Sequence, residues 1–197
     1  RGQAPQRRLP TMRDLPMLVF PPQPDPDVAT DVAAHEWARA QAALEMARAT
    51  QQPWHWCEGL QALARCQRDS GDAPAAEASL DHALAWAPLL GAVDLWVELL
   101  CERAELATAT LLDARAPATD AELEDWLLAR SCASDAAALA SRSSDATREV
   151  AVLLRASALF DRLGQPVHAG ALQARALGRQ AEHASADGAT PLPASQE

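Results

Sequence analysis

The 197-residue chain contains no lysine, asparagine, isoleucine or tyrosine. All of these amino acids have AT-rich codons, so a GC-rich coding sequence explains their shared absence without any selection for function. Arginine consequently supplies all 17 of the Lys and Arg charges. The missing residue types therefore carry no functional information.

The chain also lacks the short motifs that mark common catalytic and cofactor sites. It contains neither a G-x-x-x-x-G-K-[ST] nor a G-x-G-x-x-G phosphate-binding loop, and it has no G-x-S-x-G nucleophile elbow. His55 and Cys57 are two residues apart, a spacing that does not direct both side chains towards one metal ion on a helix. We therefore predict that the protein is not an enzyme and binds no cofactor and no metal.

No apolar run approaches the roughly 20 residues that a transmembrane helix requires, because Asp94 interrupts the apolar stretch 89–100. The four cysteines form no C-x-x-C pair, and Cys57 and Cys66 would lie on nearly opposite faces of one helix. Free, buried thiols favour a soluble protein of a reducing compartment, either the cytoplasm or an organelle matrix. The chain starts at Arg1, so a targeting segment removed from in front of it is left open.

The formal net charge is −10, and it is unevenly distributed. Residues 1–27 carry four arginines against three aspartates, so the rest of the chain holds a charge of −11. Nucleic-acid binding depends mostly on basic side chains that neutralise phosphates, and anionic membrane surfaces attract basic segments in the same way. The acidic helical part therefore argues against both kinds of partner.

Alanine, the strongest helix former, makes up nearly a quarter of the chain, and few runs alternate with the period of a strand. The stretch 53–88 shows the helical pattern most clearly, since one face of its first half is apolar at Trp56, Leu60, Leu63 and Ala64. Gly71 and Asp72 then provide a helix end and a cap for a second helix, which should end at Pro88. So short a link makes the two helices antiparallel. We predict an all-α fold of stacked antiparallel helical hairpins.

This hairpin resembles a tetratricopeptide repeat, a helix–turn–helix unit of 34 residues. With Cys57 counted as first, the family's apolar, small, glycine and proline positions fall on Leu60, Leu63, Ala64, Gly71, Ala76, Leu80, Ala83 and Pro88. Gln67 departs from the pattern, because the family has an aromatic residue there. A second match begins 93 residues later at Val150, with Leu153, Phe160, Gly164, Ala169, Ala176 and Leu177. The matches cover 57–90 and 150–183, and the stretch between them is degenerate.

The resemblance implies a short right-handed superhelix, in which the first helix of each repeat lines a concave groove. The groove positions of the family carry over to Gln61, Arg65 and Arg68 in the central hairpin and to Arg155 and Arg162 in the last one. Family members that clamp a carboxylate use Lys and Asn, which this chain lacks, although Arg can also hold a carboxylate. An ordinary solvated face is the alternative interpretation of these arginines.

Residues 1–27 contain seven prolines and cannot form a helix. Apolar side chains lie between these prolines, too concentrated for a purely disordered tail: Leu15, Met17, Leu18, Val19 and Phe20. We predict an extended Pro-rich arm that either lies across the protein's own helices or docks on another subunit. The remaining chain is predicted to divide into a helical repeat domain, 28–183, and a polar, disordered tail, 184–197.

The other helices follow from apolar spacing and capping residues. A helix over about 28–50 should cap the N-terminal end of the array. Further helices are predicted over 95–104, 106–114, 120–129 and 136–141. Thr119 and Glu122 have the spacing of a capping box, and Asp145 should cap the first helix of the last hairpin.

These patterns favour a non-catalytic scaffold or adaptor that binds proteins. The protein would be an accessory subunit of a larger assembly, docked through its arm and its helical surface. The predicted partner-binding residues are the five apolar residues of the arm and the five groove residues. The alternative is an RNA-binding or regulatory module built from similar helical hairpins, which the charge of the helical part disfavours.

Overall fold

The computed structural model describes residues 31–111 and 117–187. This part of the chain forms α-helices and contains no β-strand, which confirms the all-α prediction. The helices are α1 Asp31–Thr50, α2 Pro53–Asp69, α3 Ala73–Leu90, α4 Val93–Ala109, α5 Asp120–Ala140, α6 Ala146–Arg162 and α7 Pro166–Asp187. The arm residues Leu15, Met17, Leu18, Val19 and Phe20 lie outside the described residues.

The chain divides into two compact units between Ala92 and Val93. The N-terminal unit contains α1, α2 and α3, and α2 packs against both of its neighbours. The C-terminal unit contains the hairpins α4–α5 and α6–α7, and α6 also packs against α4 and α5. Each unit is thus a stack of neighbouring helices, whereas the sequence predicts one repeat domain over 28–183.

The helix links lie where glycine was expected. Gly71 and Gly164 sit at bends with φ of +83° and +71°, a region that glycine adopts without steric cost. The prediction that Pro88 ends a helix is wrong, because α3 continues to Leu90 and stops at Gly91, whose φ is +63°. Pro88 lies inside the last turn of α3 and removes one backbone donor there, but the helix continues for two more residues.

The predicted caps are present. Thr119 Oγ1 accepts a hydrogen bond from the Glu122 N–H at 3.2 Å, and the Glu122 carboxylate accepts one from the Thr119 N–H at 3.1 Å. Asp145 Oδ1 accepts from the N–H groups of Thr147 and Arg148 at 2.9 and 3.2 Å. These contacts satisfy backbone donors that would otherwise lack partners at the starts of α5 and α6.

Some predicted helix boundaries are wrong, because residues that commonly interrupt a helix lie here inside a packed helix. Leu106 belongs to α4, which is one continuous helix, and not to a separate helix as predicted. α5 also runs without interruption through 132–135, because Cys132 and Ala133 are buried while Ser134 and Asp135 face solvent. α7 extends to Asp187, four residues beyond the predicted end of the helical domain.

The core of the N-terminal unit forms where α2 crosses α1 at close range. A buried cluster joins the two helices through Ala40, Leu44, Ala47, Trp56, Ala62 and Leu63. A Cβ atom added to Gly59 would lie 2.7 Å from Cγ of Leu44 and 3.1 Å from its backbone nitrogen. Gly59 is therefore required by the short distance between the helices and not by a special φ angle.

In the C-terminal unit, the core lies around the inner face of α6. Val150, Leu153 and Ala156 of this helix are buried together with Ala137 of α5 and Ala176 of α7. A second cluster joins α4, α5 and the end of α6 through Ala107, Ala129 and Leu163. The indole N–H of Trp126 donates to the Leu163 carbonyl at 3.3 Å. α6 is thus the central helix of this unit.

Candidate functional site

The outer face of α6 combines exposed apolar residues with a row of arginines. Leu153 and Ala156 bury the inner face of the helix, so residues about half a turn away point to solvent. Ala151, Leu154 and Ala158 are exposed at spacings of three and four, and we call them the α6 stripe. Leu154 is 43 % exposed and lies at the centre of the stripe. This arrangement makes the outer face of α6 a candidate binding surface.

Arg155 lies beside the stripe and is held by two carboxylates of α4. Its Nη1 donates to Glu98 Oε2 at 2.8 Å. Its Nη2 donates to Glu105 Oε2 at 2.8 Å, and its Nε donates to the other oxygen of the same carboxylate. The hydrogen bond to Glu105 raises the pKa of Arg155 above its ordinary value and outweighs the opposing effect of burial. The guanidinium therefore remains charged and in place.

A second ion pair repeats this contact two turns earlier. Arg148 Nη1 lies 2.9 Å from Asp94 Oδ2, so α6 and α4 are bridged at two levels. Arg162, two turns after Arg155, is exposed and makes no ion pair with a described residue. Of the two predicted groove arginines on α6, Arg155 is thus used for internal bridging, and Arg162 is the one available to a partner.

The three predicted groove residues of α2 lie in the N-terminal unit. The expectation for Gln61 needs correction, because its side chain is buried, 7 % exposed, within α2's packed face. Arg65 lies 3.8 Å from Glu36 of α1, and Arg68 pairs with the adjacent Asp69 at 3.1 Å. Only Arg68 is well exposed, so these residues do not form a shared arginine surface.

A buried carboxylate on α6 was missed from the sequence. Glu149 is 2 % exposed, and its two oxygens accept from Arg175 Nη2 at 3.0 Å and from Arg179 Nε at 2.8 Å. Arg175 also donates to the Ala137 carbonyl of α5 at 3.2 Å. These contacts fix the rotation of α7 on α6. The four-residue spacing of the two arginines was the available signal, but their acceptor lies on another helix.

Three of the four cysteines in the described residues have the properties of structural thiols. Burial raises the pKa of Cys57 and of Cys101 to about 12, and it also raises the pKa of the half-buried Cys66. At neutral pH these thiols stay protonated, and a protonated thiol is a poor nucleophile and a poor metal ligand. Within 31–111 and 117–187, no cluster of three His, Cys, Asp or Glu side chains is arranged around a possible metal position.

Comparison with protein-family models, with curated proteins and with solved structures finds no match for this chain. In the same described ranges, no helix has both the length and the hydropathy needed to cross a bilayer.

Proposed function

We propose that the protein is a non-catalytic scaffold that binds other proteins, an accessory subunit of a larger assembly, and that the α6 stripe contacts a partner. The observation that carries this proposal is the exposed Leu154 between two alanines. The small alanine side chains leave the leucine accessible from both directions along the helix. An apolar contact of this kind gains free energy when a partner covers it.

The packing around the stripe supports a binding role, because the surface is already ordered. The inner face of α6 is buried at Leu153 and Ala156, and Arg155 ties the helix to α4. A preorganised surface loses little conformational entropy when a partner binds. The stripe also lies on the first helix of a hairpin, the helix that lines the groove in tetratricopeptide repeats. Membership of that repeat class is part of the proposal.

The chemistry of the surface suggests the partner's binding segment. Leu154 would take an apolar side chain, and the exposed Arg162 two turns later would take a carboxylate through paired N–H donors. A segment with an apolar residue and an acidic residue about 12 Å apart, two helical turns, fits both positions. We further propose that Leu15–Phe20 form a second contact with the same assembly. The free cysteines fit a reducing compartment.

The test uses a photo-crosslinking amino acid at position 154 of the full chain in its native cells. We expect one discrete adduct with another protein, identified by mass spectrometry. The purified partner should then bind the wild-type chain, and Leu154→Glu should weaken binding at least about tenfold, or 1.4 kcal/mol. Arg162→Glu should weaken it as well, because the new charge repels the partner's carboxylate.

Leu127→Glu is the matched control, since Leu127 is 48 % exposed on α5 and lies outside the α6 stripe. It should leave the affinity unchanged. Equal weakening by Leu154→Glu and Leu127→Glu, or no adduct at position 154, would contradict a binding role of the stripe.

A salt-dependent RNA mobility-shift assay separates the scaffold from the RNA-binding alternative. We expect no shift at physiological salt, because the arginines Arg65, Arg68, Arg148, Arg155, Arg175 and Arg179 are all paired with carboxylates. If the RNA is shifted and the logarithm of the binding constant falls as the salt concentration rises, the chain contacts phosphates. That result would favour RNA binding instead.

A further inference from the structure

The last helix, α7, has two apolar faces, and only one of them is covered within the described residues. Ala169, Leu172 and Ala176 face α6 and are buried or half-buried. The opposite face, within about 60° of Ala174 on a helical wheel, ends at the polar Ser185 in the last turn. Its other positions are all exposed and carry no polar side chain: Val167, Gly170, Ala171, Ala174, Leu177, Gly178 and Ala181. We call these residues the α7 outer face. Val167 is 81 % and Leu177 64 % exposed.

The two glycines of this face have no function in the packing of the described chain. A Cβ atom on Gly170 or Gly178 would meet no atom within 4 Å. The described glycines with positive φ are Gly71, Gly91 and Gly164, so neither helical glycine is needed for its backbone angle. Glycine is nevertheless among the least favourable residues inside a helix. A close approach by a second helix from outside gives a physical reason for both.

The position of α7 at the end of its stack of hairpins also favours a partner on the outer face. In stacked helical hairpins, the last helix needs a polar outer face to remain soluble, unless something covers it. The outer face of α7 contains no charged side chain. Its direction is fixed, because Arg175 and Arg179 on one flank are held by the buried Glu149 of α6. The apolar residues therefore cannot be hidden by a rotation of the helix.

The order of residues on the face fits a second copy of the same helix. Around Ala174, the residues four positions away on either side are Gly170 and Gly178. At three positions they are Ala171 and Leu177, and at seven positions Val167 and Ala181. An antiparallel copy centred on the same residue thus places glycine opposite glycine and each large side chain opposite an alanine. That alternation is what close packing requires.

We propose that α7 pairs antiparallel with α7 of a second copy of this chain, with the two-fold axis at Ala174. Two-fold dimers use one self-complementary patch on both subunits, and this face meets that condition. The charges agree, because α7 carries two arginines and two acidic residues while α4 and α5 are strongly acidic. α7 is therefore a surface where two chains of net charge −10 can meet without strong repulsion. This pairing of α7 does not involve the α6 stripe.

Sedimentation velocity of the full chain, from low to several hundred micromolar, provides the first test. A single helix pair is smaller than a standard interface, so we expect a reversible dimer with a micromolar dissociation constant. Ala174→Arg places two like charges at the axis and should raise that constant at least about a hundredfold. Gln173→Arg makes the same charge change on the neighbouring flank residue and should raise it less than about threefold.

The second test uses a disulfide to show directly that position 174 of one chain meets position 174 of the other. In a Cys66→Ala background, oxidised glutathione should link two Ala174→Cys chains by a disulfide, since equivalent residues meet only at a two-fold axis. Gln173→Cys should remain unlinked. A chain that is monomeric throughout the concentration range, or a dimer that Ala174→Arg leaves intact, would overturn the proposal. A wild-type monomer that dimerises only after removal of residues 188–197 would overturn it too, because the tail would then be the occupant.

Discussion

The hairpins α2–α3 and α6–α7 share one pattern at an offset of 93 residues, yet different interactions hold them together. Gln67 and Phe160 occupy the same position, and both are buried. Gln67 Oε1 accepts a hydrogen bond from Ser79 Oγ at 2.7 Å, whereas the residue equivalent to Ser79 is Leu172, which packs on an apolar cluster. Two polar groups can replace two apolar ones in a core when they satisfy each other.

Two further pairs of residues at the same offset differ in the contacts they make with neighbouring helices. Trp56 packs into the apolar cluster with α1, but its equivalent Glu149 is a buried carboxylate bound by arginines of α7. Gly59 admits Leu44 of α1, but its equivalent Val152 carries a full side chain. The comparison shows that the shared positions specify a helix–turn–helix backbone, while the remaining ones adapt each hairpin to the helices around it.

The largest expected difference concerns Gln67 and Phe160. Phe160→Ala removes a buried ring and should destabilise the chain by about 3–5 kcal/mol. Gln67→Ala leaves the Ser79 hydroxyl without this partner and should cost about 1–3 kcal/mol. Urea unfolding monitored by far-UV circular dichroism measures both losses. Equal losses would mean that the polar pair contributes as much as the aromatic packing, contrary to this comparison.

The next effect is expected at Glu149, the buried carboxylate of α6. Glu149→Gln keeps the size of the side chain but removes the charge that attracts the arginines, and should destabilise the C-terminal unit by about 2 kcal/mol. Glu182→Gln is the control, because this carboxylate is exposed on α7 and should change stability by less than about 0.5 kcal/mol. Hydrogen exchange of the α6 and α7 amides localises the effect. A loss no larger than that of the control would contradict the role of Glu149.

Gly59 tests the close approach in the N-terminal unit. Gly59→Ala forces a methyl group against Leu44 and should cost about 1–3 kcal/mol in unfolding free energy. A double-mutant cycle with Leu44→Ala should recover part of this loss, because it removes the side-chain atoms that clash. Gly178→Ala is the matched glycine control and should stabilise α7 by up to about 1 kcal/mol when measured at low concentration. A loss at Gly178 would indicate an unrecognised contact on that face.

The smallest expected effect concerns the residues that precede α3 and α7, Asp72 and Gln165. Asp72 Oδ1 accepts a hydrogen bond from the Ala75 N–H at the start of α3, at 3.2 Å. Its equivalent before α7 is Gln165, whose Oε1 is buried without a hydrogen-bond partner in the described part of the protein. Asp72→Ala should lose about 1 kcal/mol, and Gln165→Asp should gain about 0.5–1 kcal/mol. The thermal midpoints measure both changes. A Gln165→Asp midpoint below wild type would contradict the capping argument.

Local features of the fold were predictable because a few neighbouring residues decide them. The glycine at each of the two bends, the caps of Asp145 and Thr119, and the all-α class follow from spacing and residue type. The predicted break at 132–135 failed because buried packing of Cys132 and Ala133 outweighs the local preference of Ser134 and Asp135. The prediction that Pro88 ends α3 also failed, because the helix continues past this proline to Leu90 and stops at Gly91.

The sequence by itself determined the helices, their bends and their caps, because each depends on side chains within about one helical turn of the backbone groups they satisfy. Only the tertiary structure decided how the charges are used. Arg155 reaches Glu98 across 57 residues of chain, and Arg175 reaches Glu149 across 26. Such contacts depend on which helices become neighbours, and neighbouring helices are chosen by the burial of whole faces and not by any local run of residues.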